Sequence, residues 1–495
     1  MTRGSIARGA LWNLAGFGLP VAAAIVAVPV IVRGLGVERF GILALGWAIM
    51  GAAAMLDLGL GRALTQVVAR RRAGPEAGDL GSVVTTTVTF LAALSIVAAA
   101  SLAGASSWLA TEVFRVDPAH NSEARGAIAL LAASLPFIVC GGAFQGVLEG
   151  HLRFDLSNLL RIPLSILNFL VPLAILPFTT DLVWIVGGTV IARALGFFAY
   201  AALVRRVMGA GWRGSFRPWL LRPVLTLAAW MAASTAVAAL VIYLDRFAIG
   251  ALLTMSAVAF YVTPFEIVSR LAVIPGAVGG ALLPAFASAT PTSSQEMHEH
   301  FGRGLRYVVL LVFPAAMLVV LFAYDGLKLW IGDDFADAST RIAQILAVGL
   351  FVNSMAMIPL ISLYGIGRAD VVAKLHLLEL PVYALVLWQL VPALGVDGAA
   401  LAWTLRALMD ALLLFRLSRR ICPAHDSHYA RAAIAIVAGV AALGLGALLP
   451  SAVGRLLYGV VVLGVFAIYG WTRLLTAHER VVLARALSFR PKGGL

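Results

Sequence analysis

Charge is what this sequence has least of. Asp, Glu, Lys and Arg make up only 12% of its 495 residues, about half the share expected of a soluble globular chain. With 61% hydrophobic residues and a mean hydropathy of +0.96, it has too little polar surface to cover a fold in water, and reads as a polytopic membrane protein. Cysteine is nearly absent: Cys140 falls in an apolar run and Cys422 in a polar one, which leaves no disulfide framework. There is no Gly-rich phosphate loop of the Walker type, hence no sign of ATP use and no expected cofactor. Nor is there a soluble domain. The longest polar segment on the outer side, 105–125, is far short of the ~50 residues a domain needs. No cleavable leader is expected, because Arg3 and Arg8 run straight into apolar residues 11–32. That run is long enough to span at ~20 residues, so the first helix is expected to stay as an anchor.

What is there is a series of about fourteen apolar runs: 11–32, 40–61, 81–104, 126–148, 160–178, 182–204, 223–244, 255–287, 307–330, 342–364, 371–391, 398–415, 432–449 and 456–475. With the N-terminus placed inside, most of the 37 Lys and Arg fall in inner segments. This bias predicts that both termini are cytoplasmic. The net charge of +13 is then a topology signal and a contact with anionic lipid headgroups, and nucleic acid is not an expected partner.

The two halves repeat each other. Gly150-His-Leu-Arg153-Phe-Asp155 follows the fourth run and Gly365-Ile-Gly-Arg368-Ala-Asp370 the tenth, both reading G-x-x-R-x-D at an inner turn. Arg193-Ala-Leu195 in the sixth run matches Arg406-Ala-Leu408 in the twelfth, and Gly61-Arg62-Ala63-Leu64 aligns with Gly280-Ala281-Leu282-Leu283. The three offsets agree at roughly 215 residues. Six runs per half is an even number, so both halves enter the membrane the same way round: a parallel repeat about an axis along the membrane normal. The expected architecture is an all-α integral membrane protein. It has two six-helix lobes, 1–222 and 223–420, around a central cavity, followed by two additional helices and a basic cytoplasmic tail over 421–495.

Several segments carry a resemblance. They are Leu35-Gly-Val-Glu-Arg-Phe-Gly41, Leu56-Asp-Leu-Gly-Leu-Gly-Arg-Ala-Leu64, and Leu148-Glu-Gly150 with Arg153-Phe-Asp155. To these add Asp245-Arg-Phe-Ala-Ile-Gly250, Val258-Ala-Phe-Tyr261 and Leu283-Pro-Ala-Phe-Ala-Ser288. Together they resemble the polysaccharide-transporter branch of the multidrug/oligosaccharidyl-lipid/polysaccharide exporter superfamily, and within it an O-antigen-type flippase. The resemblance runs through the twelfth span, and the tail matches only as two further helices. It implies a non-enzymatic protein of the bacterial inner membrane that moves an undecaprenyl-pyrophosphate-linked oligosaccharide to the outer leaflet for O-antigen, capsule or exopolysaccharide synthesis. Two other readings remain open. One is an ion-coupled drug or cation exporter of the same superfamily; the other, from the enzyme class, is a membrane polysaccharide polymerase or ligase, which would want a larger outer loop.

Ionisable residues inside apolar runs are costly, ~2.5–3.5 kcal/mol each on insertion scales, and usually face a protein interior or watery cavity. Arg193, Arg270 and Arg406 lie well inside such runs. A guanidinium stays charged and grips phosphate bidentately, so these three are the expected headgroup contacts. The alternative is that each neutralises a carboxylate, Arg270 with Glu266 and Arg406 with Asp410, both four residues apart. Arg193 has no carboxylate within a helical turn. Asp57, Glu266 and Asp410 are the candidates for coupling to H⁺ or Na⁺. Arg62, Asp245, Arg246, Lys374, His376 and Glu379 are the candidate gate or rim residues, the last three as a proton-responsive patch at the start of the eleventh run. His298-Glu-His300 and Cys422 with His425 and His428 lack the second ligand pair a zinc site wants; both are expected to be solvated loops, and no metal site is expected.

Overall fold

The computed structural model describes residues 19–20, 22–52, 60–61, 64–65, 67–68, 80–212, 214–222, 243–288, 294–421, 426–476 and 479–480. Among them are helices and turns and no strand. In chain order the main helices are α1 (Ala22–Leu35), α2 (Val37–Ala52), α3 (Leu80–Gly104), α4 (Asn121–Gly150), α5 (Phe154–Ile175) and α6 (Leu182–Met208). After a helical stretch at 243–252 come α7 (Met255–Arg270), α8 (Val273–Ser288), α9 (Ser294–Trp330) and α10 (Asp333–Gly365). The chain closes with α11 (Ala369–Leu394), α12 (Val396–Ile421), α13 (Asp426–Ala447) and α14 (Ala452–Tyr469). Eleven helices among the described residues are long and apolar enough to cross a membrane. The expected seventh span lies almost wholly outside the described residues, and the first two are described only in part. The protein is a multi-pass, all-helical membrane protein.

The chain groups into two compact units, Met1–Val262 with Leu380–Ala399 and Thr263–Glu379 with Ala400–Leu495. In the first, α3, α4 and α6 enclose a core of Val83, Leu91, Val139, Phe144, Val147 and Val204. Close approach here depends on small residues. A Cβ on Gly146 would stand 2.5 Å from the Gly61 carbonyl oxygen, and one on Gly150 would stand 2.8 Å from that of Thr65. This i,i+4 glycine pair lets two backbones touch, the usual device where lipid supplies no hydrophobic drive between helices. In the second unit Phe286, Phe301, Phe313 and Phe351 join α8, α9, α10 and α13. The final two helices belong to this unit: Tyr458 on α14 donates to the Ala442 carbonyl at 2.8 Å, and Arg455 pairs with Asp325 of α9 at 3.2 Å. Outward faces are apolar. Trp184, Ile191, Leu195 and Phe198 make an exposed stripe along α6, as expected of a helix that faces lipid.

The run 255–287 carries a two-residue turn at Leu271–Ala272, between α7 and α8, within a stretch Met255–Gly280 long and apolar enough to cross a membrane. Pro275 contributes to the turn, because it has no N–H to give the carbonyl four residues earlier, that of Leu271. The expected loop around His298 is instead the first part of α9, where Met297, Phe301, Leu305 and Val308 extend the apolar stripe back to the helix start.

The sequence repeat is also a structural one. After α4, Leu152 adopts φ +60°, and after α10 Gly367 adopts φ +78°. In the first turn the amides of Leu152 and Arg153 donate to Glu149 and Leu148, each at 2.9 Å. In the second, those of Gly367 and Arg368 donate to Tyr364 at 3.0 Å and Leu363 at 2.9 Å. Both are left-handed helix ends of the same pattern, a geometry that favours glycine. Each then closes with an Arg–Asp pair, Arg153–Asp155 at 2.8 Å and Arg368–Asp370 at 3.2 Å. Leu152 is two-thirds exposed, so Leu152→Gly removes strain with little lost packing. Thermal unfolding in detergent is expected to show a gain of ~1 kcal/mol, and Gly367→Ala a comparable loss. Gly146→Leu, by contrast, should cost ~1–3 kcal/mol or more through overpacking, while Gly464→Ala, with nothing within 4 Å of the added carbon, should not lower the melting temperature.

Candidate functional site

Polar groups gather at three places within the two units. In the first unit, α4, α5 and α6 line a cavity of about 100 Å³ that contains the side chains of Gln145, Arg161, Arg193 and Tyr200. Arg193, half-buried on α6, donates from Nη2 to Oδ1 of Asn168 on α5 at 2.8 Å. Its partner across the helix pair is therefore a neutral amide. Arg161 donates likewise to Asn158 at 2.8 Å. Neither arginine takes part in an ion pair among the described residues.

Asp245 is fully buried in the same unit, and Tyr261 of α7 donates to its Oδ2 at 2.6 Å. Asp245 also accepts from the Arg246 amide at 2.7 Å, while the Arg246 guanidinium lies 5.2 Å from the Tyr243 ring centre. These two residues, expected at a gate or rim, sit 0% and 5% exposed. Burying a carboxylate that accepts a tyrosine hydroxyl fixes the junction of the 243–252 helix with α7.

In the second unit α11 and α12 bring His376, Glu379, Arg406 and Asp410 together. Arg406 Nη1 stands 3.9 Å from Glu379 Oε2, and His376 Nε2 stands 3.4 Å from Asp410 Oδ1. One ligand-type atom from each of His376, Glu379 and Asp410 lies within 4.8 Å of the others. Glu379 is 2% exposed, and among the described residues neither its Oε1 nor Asp410 Oδ1, despite the nearby imidazole, accepts a well-formed hydrogen bond. Lys374 does not join them: its side chain is exposed and lies 4.0 Å from Asp370. Arg270 ends α7 half-exposed, paired with Glu266 at 3.2 Å as the four-residue spacing suggested. Asp57, Arg62, Cys422 and His425 lie outside the described residues.

The repeat aligns two of these places. Arg193–Asn168 joins α6 to α5, and Arg406–Glu379 joins α12 to α11, the corresponding helices of the second half. The same arginine thus meets an amide in one half and a carboxylate in the other. Arg161 and Asn168 escaped the sequence reading because an arginine near a span end reads as snorkelling, and an asparagine carries no charge to flag it.

Residues 6–290, more than half of the chain, match the family described as polysaccharide biosynthesis protein. The chain belongs to that family. Among its relatives is a candidate O-antigen transporter of Shigella flexneri, 27% identical over 424 residues that cover 86% of this chain and all of the relative. Two solved folds are alike. An inward-facing MATE-family multidrug transporter of the MOP superfamily matches with TM-score 0.69 at 15% identity, over 83% of this chain and 98% of its own. The lipid II flippase MurJ in an inward closed conformation matches with TM-score 0.68 at 13% identity, over 93% and 98%. This polysaccharide biosynthesis family member thus has the fold of MOP-superfamily transporters.

The buried pair in α11 and α12 carries a stability prediction. Arg406→Met strands Glu379 and is expected to cost ~3–5 kcal/mol, whereas Arg406→Met with Glu379→Leu should recover most of it. Unfolding of the two variants in detergent measures the difference; a single variant as stable as wild type would mean that the pair bears no buried charge.

Proposed function

We propose that this protein is a flippase that carries an undecaprenyl-pyrophosphate-linked oligosaccharide across the bacterial inner membrane by alternating access. Both termini lie in the cytoplasm, the chain catalyses no covalent step, and membrane lipid is its surroundings. The observation that supports this best is Arg193, a guanidinium inside a membrane helix whose side-chain partner among the described residues is an amide. A positive charge held there at a cost of ~2.5–3.5 kcal/mol suits a cargo that brings its own negative charge. Membership of the polysaccharide biosynthesis family supports the glycan.

Arg193 and Arg270 contact the headgroup in this reading, and Arg406 does so when released from Glu379. Asp410, with His376 and Glu379, takes up the coupling H⁺ or Na⁺, since each charge moved through the membrane field yields ~2.3 kcal/mol per 100 mV. Glu266 holds Arg270, and Asp57 and Arg62 stand at the cytoplasmic mouth. A second reading, an ion-coupled drug exporter, draws on the same His376–Glu379–Asp410 set and on the MATE-like fold. Deletion of the gene separates the two. The flippase reading expects lipid-linked oligosaccharide to accumulate in the cytoplasmic leaflet, with export restored by wild type and reduced at least about tenfold by Arg193→Ala, Arg270→Ala or Asp410→Asn. Full export in all three variants, or unaltered glycan with lost drug resistance in the deletion strain, would remove it.

A further inference from the structure

We propose that α4, α5 and α6 build a phosphate pocket inside the first unit, which holds the phosphate or pyrophosphate of a polyprenyl lipid. The lipid rests on the flippase reading; the phosphate rests on the cavity itself. Its volume of about 100 Å³ has room for several waters or one tetrahedral anion. Arg161 and Arg193 both line it. Each gives one Nη2 to an asparagine and keeps further donors of its five-N–H fork for a ligand. Glu149, one turn along α4 from Gln145, is already held by Gln145 at 2.8 Å and Ser157 at 3.0 Å. It does not pair with either arginine.

The second half supplies the contrast. There the corresponding arginine, Arg406, faces Glu379 at 3.9 Å, and the charge is balanced within the protein. In the first half Arg193 meets Asn168 on the corresponding helix, two residues out of register with Glu379, and among the described residues no carboxylate pairs with it. Two guanidiniums without a carboxylate, across one small cavity, match the bidentate and bridging geometry of phosphate oxygens.

The wall opposite them is bare by composition. Gly141 and Gly142 of α4 line the cavity, and a Cβ built on either meets nothing within 4 Å. Alanine costs a helix less than glycine does, so this adjacent pair keeps space open and contributes nothing to the helix. In the proposed topology Arg161 stands near the cytoplasmic end of α5, at the depth of inner-leaflet phosphates, and Arg193 lies deeper. A headgroup seated here is at the loading side.

The test is binding to the purified full-length protein in neutral detergent, with farnesyl diphosphate, inorganic pyrophosphate and farnesol as probes. Wild type should bind farnesyl diphosphate, bind pyrophosphate more weakly, and ignore farnesol. Arg161→Gln with Arg193→Gln should weaken farnesyl diphosphate at least about tenfold. Gly141→Ala with Gly142→Ala should keep or raise the melting temperature and still weaken binding severalfold, which excludes misfolding as the cause. Equal binding of farnesol and its diphosphate, or unchanged affinity in both double variants, would overturn the pocket. Equal affinity for pyrophosphate and farnesyl diphosphate would overturn the lipid assignment. Export of lipid-linked oligosaccharide in the same strains separates the two ideas. A wild type that binds the probe but exports no such lipid would sink the flippase reading alone, and variants that export yet bind normally would sink the pocket alone.

Discussion

Hydrocarbon offers a guanidinium no partner, so every arginine inside this bundle must be answered by the protein or by what it carries. That constraint orders the other features. Helices span because their backbones satisfy themselves, and their outward faces, such as Trp184 to Phe198 on α6, are free to be apolar. Among the described residues several of these answers can be named. Arg406 is answered by Glu379, and Arg270 by Glu266. Arg193 is answered by an asparagine.

Duplication explains how such an asymmetry can arise. The two halves share a helix-end geometry down to its hydrogen bonds, with Leu152 holding by strain the conformation Gly367 holds with ease. Helices that follow the same path in both halves place an arginine at the same station. Whether the helix before it presents an amide or a carboxylate to that arginine then decides whether the station is positive or neutral. The second half has gone further and surrounded its arginine with His376 and Asp410, a set able to hold a proton or cation. Under the proposed function the first half seats the anion and the second the cation, a division of labour expected of coupled transport.

Much of this was legible in the residues. Low charge, apolar run lengths and the basic bias of alternate loops reflect the bilayer directly, so the membrane class and the helical architecture could be read. G-x-x-R-x-D was readable as a repeat because a tight turn restricts what may occupy it. Contacts across helices were not readable. The four-residue spacing of Arg406 and Asp410 suggested a pair along one helix, yet their recorded partners Glu379 and His376 come from α11. Asp245 and Arg246, at the edge of an apolar run, looked like a rim and are buried, because a run's end marks hydropathy and not depth within a fold. Arg161, Asn168, Gly141 and Gly142 carry no motif. Only the packing of α4, α5 and α6 makes them one place.

The central claim, that the uncompensated charge of Arg193 serves the cargo, is tested most directly by giving Arg193 the partner its counterpart already has. In Asn168→Asp, export of lipid-linked oligosaccharide by strains carrying equal amounts of folded protein is the quantity to measure. The account predicts a stable protein whose export falls at least about tenfold, because an internal carboxylate now neutralises the seat. Export at the wild-type rate would contradict it.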